Sequence, residues 1–164
     1  MGVDGDSGVW VQEADFDIAH LQRELVARAG DAGAVATFTG YVRKNNASRE
    51  VHTMELEHYE GMTESSIAAI VEDAAARWPV LAARVVHRVG RLRPGEQIVW
   101  VGVAAHHRDA AFTACEFIMD YLKTSAPLWK RECGPGGDAH WVAARRSDEE
   151  RLLRWDVSGE SRAE

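Results

Sequence analysis

Only two of the 164 residues are cysteine, Cys115 and Cys133. They are too few for a disulfide framework and lack the Cys-x-x-Cys spacing of redox and zinc motifs. Cys115 falls in a helical apolar pattern and reads as a small core residue. Cys133 stands beside a Gly-rich turn, and a catalytic cysteine is the minor reading. His-Glu-x-x-His, a Cys/His cluster and an acidic trio are all missing, so no metal site is expected. His52 and His58 share a strand face but lie about 20 Å apart along it, and adjacent His106 and His107 diverge. "GPGG" has no following Lys-Ser or Lys-Thr and reads as a turn, and no Gly-x-Ser-x-Gly elbow is present. No apolar run reaches bilayer length, and the acidic start "MGVDGDSGVW" is no signal peptide. Asp6 stands where a myristoylation pattern requires Ser or Thr. These absences predict a cytoplasmic chain with no membrane partner. Basic residues are short as well, 19 against 26 acids for a net charge of −7, which argues against nucleic acid. The acid excess lies toward the chain ends, so a local cationic pocket in the centre is compatible with it.

What is present suffices for one packed core, with 46% hydrophobic residues. "VWVQ" (9–12) reads as a strand. A helix follows, capped by Asp17, with Ile18, Leu21, Leu25 and Val26 on its apolar face and Gly30 as its stop. "GAVATFTGYVR" (33–43) reads as a largely buried strand and "KNNASRE" as a polar loop. "VHTMELEHY" alternates like a strand with one wet face. "MTESSIAAIVEDAAARW" is a helix capped by Thr63, with Ile67, Ile70, Val71 and Ala74 on one stripe and Pro79 as its stop. "ARVVHRVGRL" and "EQIVWVGVAA" flank Pro94-Gly95 and predict a hairpin with a type II turn. A helix from Asp109 to about Lys123 leads to a strand "PLWKRE", a turn "CGPGGD" and a return strand "HWVAA". From Ser147 the tail is charged and expected to be loosely held. Strands arriving as hairpins with helices between them predict an α+β fold.

Three places have the makings of a site. His107 and Arg108 lie where a strand gives way to a helix N-terminus, a setting for a phosphate or carboxylate. The alternative is an Arg108 ion pair and two plain loop histidines. Arg43 leaves a buried strand for a loop, where sheets place binding groups, although a lone Arg there is commonly a surface residue. Lys123 and Lys130 lie seven residues apart in "DYLKTSAPLWKRE". Lys123 suits the C-terminal end of a helix dipole, which alone explains it. Lys130 alternates with Trp129 and Arg131 in a strand and shares a face with Leu128 and Glu132. Beside a large aromatic and apolar neighbours its amine is partly desolvated, which lowers its pKa and suits proton transfer or covalent work. Pro127 makes the connection stiff, so both amines can line one cleft.

"GAVATFTGYVR", "LEHYEGMTE", "HRVGRLRPGEQIVWVGVAAHHR", "FIMDYLKTSAPLWKRE" and "HWVAAR" occur in the order and spacing of one known family. Over roughly residues 8–148 the chain resembles the large, catalytic subunit of molybdopterin synthase. The resemblance implies one domain over 8–148, an acidic extension at 1–7 and a charged tail at 149–164. It implies a hammerhead-type α+β fold and a homodimer at the centre of a heterotetramer. A small ubiquitin-like sulfur-carrier subunit ending in Gly-Gly would dock on each side and donate sulfur from its C-terminal thiocarboxylate. The implied substrate is cyclic pyranopterin monophosphate, converted to molybdopterin by two successive sulfur transfers, with no cofactor. Lys123 and Lys130 match the family's catalytic lysines. Tyr41, Val42 and Arg43 match a substrate-binding strand end, and His107 and Arg108 the pair that holds the substrate's anionic end. Arg131 and Glu132 continue the pocket lining, with Phe38, Met119 and Arg145 as wall residues. Leu128 and Ser125 depart from the family pattern at the wall, where bulkier residues are expected. Two rival readings are a non-catalytic module binding an anionic pterin or nucleotide through Arg43, His107 and Arg108, and a Schiff-base lysine enzyme.

Overall fold

The apolar run Ile98–Ala105 has side chains to bury on both sides, and the fold gives it helices on both. In the computed structural model, which describes residues 8–156, this run forms β8 (Gln97–Ala105), the centre of a four-stranded sheet. β6 (Val80–Arg88) pairs antiparallel with it on one side, and β2 (Ala34–Tyr41) on the other. β1 (Val9–Gln12) adds to β6 in parallel, giving the order β1-β6-β8-β2. Alternation then sorts the side chains. Val99, Val101, Val103 and Ala105 point toward α2 (Met62–Arg77) and α3 (Arg108–Thr124), while Trp100 and Ala104 point toward α1 (Ile18–Ala29). Gly102 is what lets Trp100 fit. A Cβ there would stand 2.3 Å from the indole and 2.8 Å from Leu25.

A second, antiparallel sheet follows the order β10-β9-β5-β7. It consists of β5 (Thr53–His58), β7 (Gly90–Leu92), β9 (Leu128–Cys133) and β10 (Ala139–Val142). Its inner face closes a smaller core of Val42, Val51, Met54, Leu56, Val89 and Leu92. The architecture is the α+β class expected from the sequence, with a single parallel strand pair among the described residues.

Several local expectations hold. The Asp17 carboxylate accepts the His20 N–H at 3.0 Å and caps α1, which Gly30 ends at φ 76°. The α2 stripe of Ile67, Ile70, Val71 and Ala74 is buried. At Pro94-Gly95 the Glu96 N–H donates to Arg93 O at 3.0 Å, with Gly95 at φ 90°, as the type II turn requires.

Others are corrected. β2 is an edge strand and not largely buried: Ala36 is its buried residue, while Phe38 and Tyr41 are 40% and 51% exposed. Its β-branched and aromatic content specifies a strand, but burial depends on where in the sheet that strand lies. The "KNNASRE" loop is a small hairpin of β3 (Asn45–Asn46) and β4 (Arg49–Glu50). "ARVVHRVGRL" is two strands: Gly90, at φ 83°, turns the chain out of the first sheet so that β7 joins β5 in the second. Val26 lies at the edge of the α1 contact and is 43% exposed. Thr63 does not cap α2. Gly61 begins that helix, its N–H held by the Glu64 carboxylate at 2.7 Å. Thr63 is buried in the first turn, donating to Pro127 O at 2.9 Å and accepting the Tyr59 N–H at 3.1 Å.

The charged tail is also ordered as far as described. Arg146–Asp156 form α4, which buries Trp155 edge-on against Trp78 (5.5 Å) and Phe117 (5.3 Å). One aromatic in a charged stretch leaves little periodic signal, yet Trp155 is the buried anchor of the helix, with Leu152 packed beside it against the same core. Residues 1–7 and 157–164, which hold the acidic extension and the end of the tail, lie outside the described residues.

Candidate active site

Lys123 stands in the last turn of α3 and Lys130 in β9, joined by a short segment that Thr63 grips at Pro127. Lys130 is opposite Leu56 on β5 and Val142 on β10, and Glu132 is opposite Met54. Directly opposed residues share a sheet face, so Lys130 and Glu132 emerge from the apolar inner face of the second sheet. The desolvation expected from Trp129 therefore comes mainly from that inner face. Trp129 lies on the outer face, edge-on to Tyr59 at 4.8 Å. Burial pushes the Lys130 amine below the ordinary lysine range, the like charges of Lys123, Arg145 and Arg43 push the same way, and Glu132 opposes them. The Lys130 Nζ to Glu132 Oε1 distance is 3.7 Å.

Arg43 and Arg145 reach this group from 102 residues apart in sequence. Arg43 Nη2 donates to Asn46 Oδ1 at 3.1 Å and Arg145 Nη2 donates to the same oxygen at 3.0 Å. The Asn46 amide donates to both Glu132 oxygens, at 2.9 and 3.1 Å. Arg43, Arg145, Glu132 and Lys130 are thus connected through Asn46, and Asn46 and Glu132 line a cavity of about 530 Å³ between the β3–β4 and β9–β10 hairpins. Asn46 was not singled out by sequence reasoning, because "KNNASRE" reads as turn chemistry.

A second residue outside the sequence expectations is His87, on β6. It is buried, and its Nδ1–H donates to Arg88 O at 2.7 Å. Burial lowers its pKa from 6.5 to about 4, and the charges of Lys123 and His58 push the same way. A neutral imidazole therefore lies within electrostatic reach of Lys123 at neutral pH. The available signal was a histidine directly after two valines in the strand string "RVVHRV".

The remaining expected site residues fall elsewhere. Arg131 points to the outer face, where it pairs with Glu55 and lies 5.6 Å over the Trp141 ring. Val42 is buried in the small core, and Tyr41 is exposed at the end of β2 with Phe38 three residues before it. Met119 is buried in α3, one turn before Lys123. His107 and Arg108 begin α3, beside a cavity of about 310 Å³ that His107 lines with Trp78 and Thr113. Arg108 and Lys123 are 15 residues apart on one helix, about 22 Å along its axis. Within one chain, the expected anion-binding pair and the two lysines are not brought together.

Residues 11–125 match the model of a family described as MoaE protein. The molybdopterin synthase catalytic subunit of Ralstonia nicotianae is 54% identical over 147 residues, 90% of this chain and 83% of that protein. A solved molybdopterin biosynthesis MoaE protein from Burkholderia ambifaria is 48% identical with a TM-score of 0.78, covering 91% of this chain and 97% of the other. A Helicobacter pylori chain, from a protein-protein complex of subunits 1 and 2 of molybdopterin-converting factor, shares the fold at 19% identity and a TM-score of 0.69. It covers 84% of this chain and 91% of that one. The family match spans well over half of the sequence and the curated relative is more than half identical across most of it, so this chain belongs to the MoaE protein family.

Proposed function

We propose that the protein is the catalytic subunit of a molybdopterin synthase, a sulfurtransferase that converts cyclic pyranopterin monophosphate to molybdopterin. The observation that carries the chemistry is Lys130, partly desolvated on an apolar sheet face with Lys123, Arg43 and Arg145 as its cationic neighbours. Sulfur would arrive as the C-terminal thiocarboxylate of a small ubiquitin-like subunit. The thiocarboxylate sulfur would bond to the substrate carbon as the ring oxygen leaves with a proton from a lysine ammonium. Water then adds to the carrier's carbonyl, and the ammonium groups stabilise the oxyanion. Its collapse breaks the carbonyl–sulfur bond, leaving sulfur on the pterin and a carboxylate on the carrier. The guanidiniums of Arg43 and Arg145 suit the substrate's phosphate. The two-subunit assembly of the Helicobacter pylori protein supports such a partner here.

The reading includes a homodimer at the centre of a heterotetramer. Its support is the separation of His107 and Arg108 from Lys123: one helix cannot bring both of its ends to one small substrate, but a second copy can. The exposed Phe38 and Tyr41 on the edge strand β2 are suited to burial in such a contact. We assign the protein to the cytoplasm, and among the described residues no helix is long and apolar enough to cross a membrane.

The test combines purified protein, thiocarboxylated small subunit and cyclic pyranopterin monophosphate, with molybdopterin as the readout. Lys130→Ala is expected to lower turnover by about 100-fold or more, the range for losing a positioned acid–base group. Undiminished product from that variant would remove the lysine from the mechanism.

A further inference from the structure

Asn46 contacts three charged side chains with one neutral amide. Its oxygen takes the two guanidiniums of Arg43 and Arg145, and its nitrogen spans both oxygens of Glu132. The chemistry of the partners fixes the amide's orientation. Guanidinium groups only donate and an ionised carboxylate only accepts, so a flipped amide would oppose N–H to N–H and oxygen to oxygen.

The contacts are long-range, joining Asn46 to Glu132 across 86 positions and to Arg145 across 99. The hairpin that carries it is built for one position. Its two turn residues, Ala47 at φ 46° and Ser48 at φ 68°, both adopt left-handed backbone without a glycine. Such conformations persist where surrounding structure enforces them.

Without an intervening neutral group, two guanidiniums beside a carboxylate would close into direct bidentate ion pairs. That collapse would neutralise the arginines and draw Glu132 away from Lys130. An amide prevents it by occupying one acceptor position for the arginines and two oxygens of the acid while adding no charge.

We propose that Asn46 is a positioning residue of the lysine cleft, a neutral spacer that keeps Glu132 beside Lys130 and keeps Arg43 and Arg145 available to an anionic group of the substrate. The inference rests on the sulfur-transfer reading for its assay, but it makes a separate claim about binding.

Two variants test it in the assembled synthase. Asn46→Asp preserves size and the acceptor for the arginines but neutralises them and repels Glu132. Asn46→Ala removes both sets of bonds. The KM for cyclic pyranopterin monophosphate should rise about tenfold in Asn46→Asp and less in Asn46→Ala, with the calorimetric Kd of the same compound moving in parallel. The thermal midpoint should stay close to that of the wild type. Values of KM and Kd within threefold of wild type in both variants would overturn the proposal. So would a fall in kcat alone that accompanies a lowered thermal midpoint, the pattern of a merely structural residue. If wild type binds the compound and Asn46→Asp loses that binding, but neither makes product, the spacer role stands and the sulfur-transfer reading falls.

Discussion

Burial pushes His87 and Lys130 toward neutrality, but only His87 is sealed inside the protein. At neutral pH His87 is uncharged both folded and unfolded. Its folded pKa lies below the unfolded one, so protons bind the unfolded chain first as pH falls. Stability is therefore fully present above about 6.5 and is lost progressively as pH drops toward about 4. His87→Asn keeps an N–H donor near the Arg88 carbonyl and removes the titration. Urea unfolding at pH 7 and 4.5 should show wild type losing about 2 kcal/mol more than this variant. Equal losses would mean that the imidazole is not held neutral. Histidine and lysine were visible in the sequence as residue types. Their environments were not, because Lys130 owes its apolar setting to Leu56 and Met54 from a strand more than 70 residues earlier.

At the scale of elements, α4 controls the end of α3 that carries Lys123. Asp120, buried one turn before Lys123, accepts from the Trp155 indole N–H at 2.9 Å and from Arg154 at 2.6 Å. Arg154 also pairs with Glu116 at 2.7 Å. The aromatic stack against Trp78 and Phe117 supplies the apolar part of the contact. Trp155→Ala should cost about 3 kcal/mol, the usual scale for deleting a buried Trp, and lower the thermal midpoint by roughly 10 °C. Hydrogen exchange should then quicken in α4 and in the last turn of α3, with β8 unchanged. An unchanged midpoint would show that α4 is not docked in solution. Helices α1, α2 and α3 were legible because each repeats apolar residues at helical spacing. α4 was not, since what holds it is a buried Trp155 and ion pairs to α3, contacts with residues far away in the sequence.

At the scale of the whole molecule, the decisive fact is the length of α3. It separates His107 and Arg108 from Lys123 by four turns, so a site using both requires two copies of the chain. Lys130→Ala and Arg108→Ala are each expected to be nearly inactive alone. After subunit exchange, random pairing leaves one intact site in each mixed dimer, and activity should return to roughly a quarter of wild type. No recovery, in a preparation whose mixed dimers are verified by mass, would place the working site within one protomer or remove Arg108 from it. The sequence by itself determined helices α1 to α3 and the longer strands, the turn at Pro94-Gly95, the α+β class and the family, because those follow from short-range periodicity, backbone chemistry and local strings. Only the tertiary structure decided which strand is an edge, how Asn46 joins nearby Arg43 to groups from two distant segments, and that the two expected halves of the site lie at opposite ends of one helix. Those features depend on pairing between residues far apart in the chain, where burial and charge are set by neighbours that local sequence does not contain.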